Sequence, residues 1–458
     1  MSLHSSRRSR TALVLAAAAA IALGSAGCSA LTPGAAPGGT ATLAPATKLS
    51  ADDVTALGDV TLRMTDGGDA APESRLSQSI AKFEAEFPNV TVERDVKAFA
   101  DYSKTINLVM SGDDAPDIAE ADGAMAPRLV AGKLLRPLND YFDAYGWAAR
   151  YPSSILSSLK ASPDGKAYGT GDFWGVSTGG ELTGVFYNKA VLDRAGVDLP
   201  ATFDDFQAAL ATLHDKGEIP IQLGNLDQWS GSHVFSTLLD NTADPQGLQD
   251  WINGKPGATF TSPETKQALT TFKDWFSQGY ISEQANGILD EDAVASFMDG
   301  QGAFLITGTW RTADISTTLG ENGGFMLLPP KEEGGPSYAT GSYQGTFGIS
   351  PKTKNADLAA FFLDYITGPV AASINEAGDF LGWYPDENSA PAGTAAEDVQ
   401  TAWASVLENN GLVGWLDSAS PAMGDTLFPA LQELMAGQQT PEQVMDAVQK
   451  TWEDYRQA

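Results

Sequence analysis

The stretch VTLRMTDGGDAAPESRLSQSIAKFEAEFPNVTV, residues 60 to 92, decides the fold. Val60-Thr61-Leu62-Arg63-Met64 alternates apolar and polar side chains, the two-residue period of a strand. Between Pro72 and Phe87 the period lengthens, and Leu76, Ile80, Phe83 and Phe87 fall on one face of a helix. Val90-Thr91-Val92 then resumes as a strand. Two strands joined by a helical crossover must run parallel, so this is a βαβ unit and predicts a parallel sheet covered by helices.

The alternation continues down the chain. A helix is expected from Tyr102 to Met110, and Ser111-Gly112-Asp113-Asp114-Ala115-Pro116-Asp117-Ile118 reads as a turn feeding a short strand. Further helices are expected over Thr202 to Lys216, Ser262 to Gln278, Asp290 to Asp299, Asn355 to Thr367 and Pro441 to Arg456. Thr202, Ser262 and Thr440 each stand before prolines or acids in a first turn, where a side-chain oxygen caps the helix start. No fixed-period repeat or low-complexity insertion interrupts the pattern, which excludes a solenoid or propeller. The class is α/β.

Ahead of this body the chain begins like an export signal. Arg7, Arg8 and Arg10 precede an uncharged apolar run from Ala12 to Leu23, and small residues lead to Cys28. The run is shorter than the roughly 20 apolar residues of a membrane span. Gly24-Ser25-Ala26-Gly27-Cys28 resembles the lipobox of bacterial lipoproteins, which implies a signal peptide over 1–27 and a diacylated Cys28; the Arg7-Arg8 pair leaves general and twin-arginine export both open. Cys28 is the only cysteine, so no internal disulfide is available. Two acyl chains give the stable membrane attachment that one does not. From Ser29 to Ser50 the chain is rich in Ala, Pro, Gly and Thr and cannot bury a core, so residues 28–58 are expected to act as a lipidated tether.

Charge narrows the partners. The formal charge is −30, and losing a leader with three arginines and no acid would take it to −33. A body this acidic excludes nucleic acid, whose phosphates demand a basic surface, and excludes binding to anionic lipid other than through the anchor. About 400 residues remain, room for two domains with sizeable cores.

An ordered series of short signatures between about Val60 and Tyr455 resembles the type 1 extracellular solute-binding proteins of ABC importers, the group that includes maltose-binding protein. Phe83 with Phe87-Pro88-Asn89-Val90-Thr91-Val92 is similar to that family's first helix and second strand. Ser111-Gly112 with Ala115-Pro116-Asp117-Ile118, Asp164-Gly165-Lys166-Ala167-Tyr168-Gly169 and Val185-Phe186-Tyr187-Asn188-Lys189 follow in order. Gly196 to Phe206, Gly300-Gln301-Gly302-Ala303-Phe304 with Gly308-Thr309-Trp310, and Gly348-Ile349-Ser350 with Asn355 and Ala359-Ala360-Phe361 complete the series. The resemblance implies a two-lobed periplasmic-binding-protein fold of type II with a ligand cleft between lobes joined by a hinge. It places one lobe at 59–178 plus 344–384 and the other at 179–343 plus 385–458. It further implies a monomer on the outer face of the cell membrane, attached only by its lipid, that passes a sugar to ABC permease subunits and uses no cofactor.

A sugar presents hydroxyls that donate and accept, and C–H faces that are nearly apolar. Carboxylates suit the first and aromatic rings the second. By the resemblance Asp122 and Glu181 match positions of sugar-binding carboxylates, and Trp310 matches a ring that stacks on sugar. Trp229, after Ile219-Pro220-Ile221, and Trp415, in a loop next to Gly414, are further candidates; Trp174, Tyr343, Trp383 and Asp66 are weaker ones, for which a packing role competes.

Other classes are less well supplied. A secreted carbohydrate-active hydrolase needs paired carboxylates; Glu332-Glu333 and Asp290-Glu291-Asp292 qualify by type but read as exposed acids on loops or helices. Only His214 and His233 survive loss of the leader, with no His-x-x-x-His, so zinc and Cys-His chemistry lack ligands and no metal or catalytic residue is expected. His233, beside Val234 and Phe235, reads as a packing residue. Polyols and peptides remain open as alternative ligands, and an adhesive lipoprotein as an alternative role.

Overall fold

The computed structural model describes residues 45–457 apart from 69, 72–73, 123–124, 152, 337, 369–380 and 382–389. The leader, Cys28, the tether as far as residue 44, and Trp383 lie outside the described residues. Among the described residues no helix is long and apolar enough to cross a membrane.

The opening stretch folds as its periodicity requires. Strand β1 (Val60–Asp66) pairs in parallel with β2 (Val90–Val96), in register from Val60 opposite Val90 to Asp66 opposite Val96. The crossover is a helix over Arg75–Glu86, started by Ser74, whose side chain accepts from the Ser77 N–H. Its Phe83 is fully buried against Phe87, Phe362 and Tyr365, with ring centroids 5.0, 5.0 and 5.2 Å away, so the helix is pinned between the sheet and the helix Ala356–Thr367. The other expected helices lie within a few residues of their predicted ends: Phe99–Ser111, Phe203–Asp215, Pro263–Ser277, Asp290–Met298 and Pro441–Gln457.

The remaining strands are β3 (Ile118–Glu120), β4 (Lys160–Ala161), β5 (Asp172–Phe173), β6 (Val176–Asn188), β7 (Ile221–Gln222), β8 (Phe304–Gly308), β9 (Gly323–Met326), β10 (Ala339–Ile349) and β11 (Leu412–Val413). They run in the order β2-β1-β3-β10-β6-β8-β7, with β9 on β6 and β11 on β10; β4 and β5 pair separately. The sheet is mixed rather than all parallel: β1, β2 and β3 are parallel, whereas β10 runs antiparallel to both β3 and β6. The departure comes from β6 and β10, which are 13 and 11 residues long and cross between two halves of the molecule. The first half of β6, Val176 to Leu182, pairs with β10; the second half, Thr183 to Asn188, pairs with β8 and β9. One lobe is built around β2-β1-β3 and the other around β7-β8-β9, and these two strands join them.

Alternation along β6 and β8 divides the second lobe's part of the sheet between two cores. Val185, Tyr187, Phe304 and Ile306 enter a core with Phe206, Phe235, Trp251 and Trp275. Phe186 and Leu305 point the other way, joining Phe325, Ile315 and Trp403 in a cluster continuous with that of the first lobe. Helices therefore cover both faces, as a nearly fully buried sheet requires.

Part of the expected tether lies against the body. Ser50 and Asp53 form a capping box that starts a short helix over Ala51–Thr55, and Val54 in it is fully buried. The Leu49 N–H donates to the Tyr145 hydroxyl at 3.2 Å and the Thr47 N–H to Asp357 at 2.9 Å. Leu49, near the end of the Ala, Pro, Gly and Thr run, packs against the core, and Val54 beyond it is fully buried.

Candidate ligand-binding site

The parallel register of β1 and β3 sets Thr65 opposite Ala119, so Asp66 and Glu120 end the two strands side by side. Ligands of open α/β sheets bind at this carboxyl edge. Asp66 is fully buried and takes a bidentate pair from Arg94, with Nε and Nη2 each at 2.7 Å, plus the Gly68 N–H at 2.9 Å. Glu120, also buried, accepts from the Gly67 N–H at 2.6 Å.

Asp122 follows in the loop after β3. Its two carboxylate oxygens accept from the backbone N–H groups of Gly345 and Thr346, both at 2.9 Å. Gly345 makes this possible: its φ of +56° is left-handed, and a Cβ there would run into the Thr178 hydroxyl. Glu120 and Asp122, two residues apart, lie within electrostatic reach of each other. Burial and these like-charged neighbours push Glu120 well above the usual carboxylate range. Burial likewise lifts Asp122 to about 6, against the pull of its hydrogen bonds.

Glu181 sits midway along β6, opposite Ser342 of β10. Burial and then the charge of Glu120 raise it to about 8, and a hydrogen bond with the Trp415 side chain partly offsets them. That contact ties the acids to an aromatic cluster. Trp229 stands just before the helix Ser230–Thr242, with His233 one turn further on; Trp310 lies in the turn Thr309–Arg311 that follows β8; Trp415 follows β11. His233 is packed by all three indoles, at centroid distances of 5.0 Å to Trp229, 5.2 Å to Trp310 and 5.2 Å to Trp415, and Trp310 lies 6.1 Å from Trp415. All three tryptophans keep part of their surface open, unlike Trp147, Trp251, Trp275 and Trp403 in the cores.

Asp290 fixes two of these rings. It accepts from Ser230, next to Trp229, at 3.1 Å and from Arg311, next to Trp310, at 2.7 Å. The sequence suggested an exposed acid here. Instead Asp290 is buried, because Arg311 neutralises it while Glu291 reaches the same guanidinium from the surface. Gly308 leaves room for the Trp310 ring, which a Cβ at that position would strike.

The structure thus brings together Asp66, Asp122 and Glu181 on one side and Trp229, Trp310 and Trp415 on the other. Tyr343 and Trp174 are both buried and pack edge to face at 5.7 Å; burial first, then Tyr168 and Asp122, raise the Tyr343 hydroxyl. Glu120 was not singled out by sequence; its signal was a strand-end acid matching Asp66 across a parallel pair. His233 reads from the sequence as a packing residue, yet it stands among the candidate rings and its Nδ1 has no partner. Burial holds its pKa down, at about 3, so the imidazole is neutral. Gly175-Val176-Ser177-Thr178-Gly179 has the spacing of a hydrolase nucleophile elbow, but it runs through the start of strand β6, not through a strand-to-helix turn, and Ser177 Oγ donates to the Gly179 carbonyl at 2.7 Å. A separate cavity of about 330 Å³ at the far end of the helix Ser230–Thr242, lined in part by Asp240, Asn241 and Lys331, holds none of the candidate residues.

Comparison with known proteins agrees with this architecture. A family described as bacterial extracellular solute-binding protein matches residues 68–373. The chain is 24% identical over 251 residues to a "Probable sugar-binding periplasmic protein" of Mesorhizobium japonicum, covering 54% of this chain and 55% of that one. It is 22% identical over 294 residues to the "Multiple sugar-binding protein" of Streptococcus mutans, covering 61% of this chain and 68% of that one. The chain thus spans a little over half the length of the first relative and about two thirds of the second. Among solved structures, a chitin oligosaccharide binding protein superposes with a TM-score of 0.71 at 23% identity, over 88% of this chain and all of that one. With the family matched across most of the folded body and both lobes in place, the chain belongs to the bacterial extracellular solute-binding proteins.

Proposed function

We propose that this protein captures a carbohydrate between its two lobes and delivers it to the permease of an ABC importer, without chemical change to the sugar. One observation carries the reading: three partly open tryptophans gather round His233, and β11, which leads into Trp415, pairs with the same strand β10 that holds Glu181 in register. Acids satisfy hydroxyls and rings cover C–H faces, a combination that suits a sugar better than a peptide. Asp122, Glu181, Trp229, Trp310 and Trp415 are the proposed binding residues, with Asp66, Tyr343 and Trp174 behind them. The names of the sugar-binding relatives support the same ligand class.

The proposed lobes are 59–178 plus 344–384 and 179–343 plus 385–458. A monomer anchored by lipid at Cys28 to the outer face of the membrane completes the reading, with the signal at 1–27 removed. Ligand closes the lobes only through affinity that is greater for the closed form. A thermal-shift screen of mono- and oligosaccharides, polyols and oligopeptides tests the ligand class: a sugar should raise the melting temperature, and a response to peptides alone refutes it. Recovery of the bound sugar unaltered after prolonged incubation checks the absence of hydrolysis, and mass spectrometry of membrane-extracted protein checks acylation of Cys28.

A further inference from the structure

Away from the cleft, the cavity at the far end of the helix Ser230–Thr242 is walled by polar groups that the protein itself leaves unsatisfied. Its volume of about 330 Å³ falls at the lower end of the range for ligand pockets and is roughly ten times the share of one water molecule. Asp240 and Asn241, in the last turn of the helix, both line it. Asp240 is only 4% exposed; its Oδ2 accepts from the Thr340 N–H at 2.5 Å, and its Oδ1 has no partner. Asn241 gives Nδ2 to the Pro329 carbonyl at 2.6 Å, which orients the amide, and its buried Oδ1 has no partner either. Thr237, one turn back on the same wall, is already engaged with the His233 carbonyl at 2.8 Å. The buried polar side chains of the wall therefore keep two acceptors open, on neighbouring residues.

Charge decides what completes them. A buried carboxylate is costly unless it is paired as well as hydrogen-bonded, and among the described residues no basic side chain forms an ion pair with Asp240. The end of a helix that carries its last carbonyls is partly negative, and no basic residue stands in this last turn to offset it. Lys331 and Glu332 also line the cavity, but both are exposed and their opposite charges balance in water. Leu328, Pro330, Pro336 and Tyr338 make much of the remaining wall apolar. Among the described residues no group of three His, Cys, Asp or Glu side chains is placed to hold a metal ion, so a bare cation would lack ligands and leave the apolar wall uncovered. An ammonium group on a short carbon body answers both needs: it brings charge and several N–H donors to the two oxygens, and C–H surface to the wall.

We infer that this cavity is a second binding site, for a small organic ammonium ion whose N–H groups reach Asp240 Oδ1 and Asn241 Oδ1 and whose carbon chain lies against Leu328, Pro330, Pro336 and Tyr338. It is separate from the cleft at the other end of the helix, and the inference does not depend on the carbohydrate reading.

The test is calorimetric titration of the folded protein at pH 8. Burial raises Asp240 to about 7, so at this pH the carboxyl is mainly ionised. Three probes separate the contributions: butylammonium, 1-butanol with the same chain and no charge, and tetramethylammonium with the charge and no N–H. Butylammonium should bind tenfold or more tightly than either of the others. Asp240→Asn, which keeps an oxygen for the Thr340 N–H, should weaken it at least tenfold, and Asn241→Leu at least threefold. Equal binding of 1-butanol or tetramethylammonium overturns the inference, as does the absence of any butylammonium binding. Affinity that is unchanged in Asp240→Asn places the ammonium elsewhere and overturns it too. If the variants do not fold, crystals of the native protein grown with butylammonium decide: its nitrogen within hydrogen-bond distance of both oxygens supports the site, and a cavity filled by water alone overturns it.

Discussion

Replacing Glu181 by glutamine should change how the stability of the empty protein depends on pH. Burial first, and Glu120 second, raise this carboxyl from its ordinary 4.5 to about 8. In the unfolded chain the same group ionises near its ordinary value, so between about pH 4.5 and 8 the folded state binds the extra proton. Stability contributed by a group held protonated in this way is complete below the unfolded value and is lost as pH rises towards the folded one. At 1.36 kcal/mol per unit, the full shift corresponds to about 5 kcal/mol. Glu181 retains some contact with water, and screening reduces the expected loss to about 2–3 kcal/mol. Urea denaturation of native protein and Glu181→Gln at half-unit steps from pH 5 to 8 measures it. The native protein should lose stability relative to the variant across that range, and the difference between the two isolates Glu181 from Glu120 and Asp122. Parallel pH profiles would refute the claim that Glu181 is buried without a compensating cation.

Three further perturbations address other parts of the site. Trp310→Ala should weaken sugar binding tenfold to a hundredfold, about 1.5–3 kcal/mol, with little change in melting temperature; unchanged affinity in calorimetry removes Trp310 from the cleft. Asp290→Ala should release both Ser230 and Arg311, costing about 1–3 kcal/mol of stability and loosening Trp229 and Trp310, which a fall in tryptophan fluorescence anisotropy would register; native anisotropy and native affinity together would deny it the positioning role. Asp66→Ala should cost about 3–5 kcal/mol because Arg94 is left buried and unpaired, and Asp66→Ala with Arg94→Ala should recover part of that; a double variant no better than the single would show that the pair does not act as a unit.

The sequence disclosed most where the physics is local. The change of period between Val60 and Val92 required a βαβ unit, and caps such as Thr202 and Ser262 placed helix starts to within a residue. Asp122, Glu181 and Trp310 are candidates from motif positions, and Trp229 and Trp415 from their places after a strand and beside Gly414. Glu120 was hidden because its importance depends on the register of β3 against β1, and His233 because its partners come from β8 and β11, far along the chain. Asp290 misled for a related reason. Flanked by Glu291 and Asp292 it reads as one of a solvated run, and only the approach of Arg311 from another element buries it. The mixed sheet was equally remote: nothing local in β10 announces that it enters the sheet from the opposite lobe.

That crossing also explains how the site couples to lobe movement. Asp66, Glu120 and Asp122 belong to strand ends of the first lobe, Trp229 and Trp310 to the second, and Glu181 to the strand that joins them. A ligand that engages both acids and rings must therefore touch both lobes, which is the condition for binding to favour closure. Among the described residues, polar contacts away from β6 and β10 include the Tyr455 hydroxyl donating to the Gly165 carbonyl at 3.2 Å, Lys166 Nζ standing 5.8 Å over the Tyr455 ring, and the Tyr168 N–H donating to the Asn253 carbonyl at 3.3 Å. Hydrogen bonds of this kind contribute about 0.5–1.5 kcal/mol each. Bonds of that size leave room for a ligand that touches both lobes to set the balance between open and closed forms.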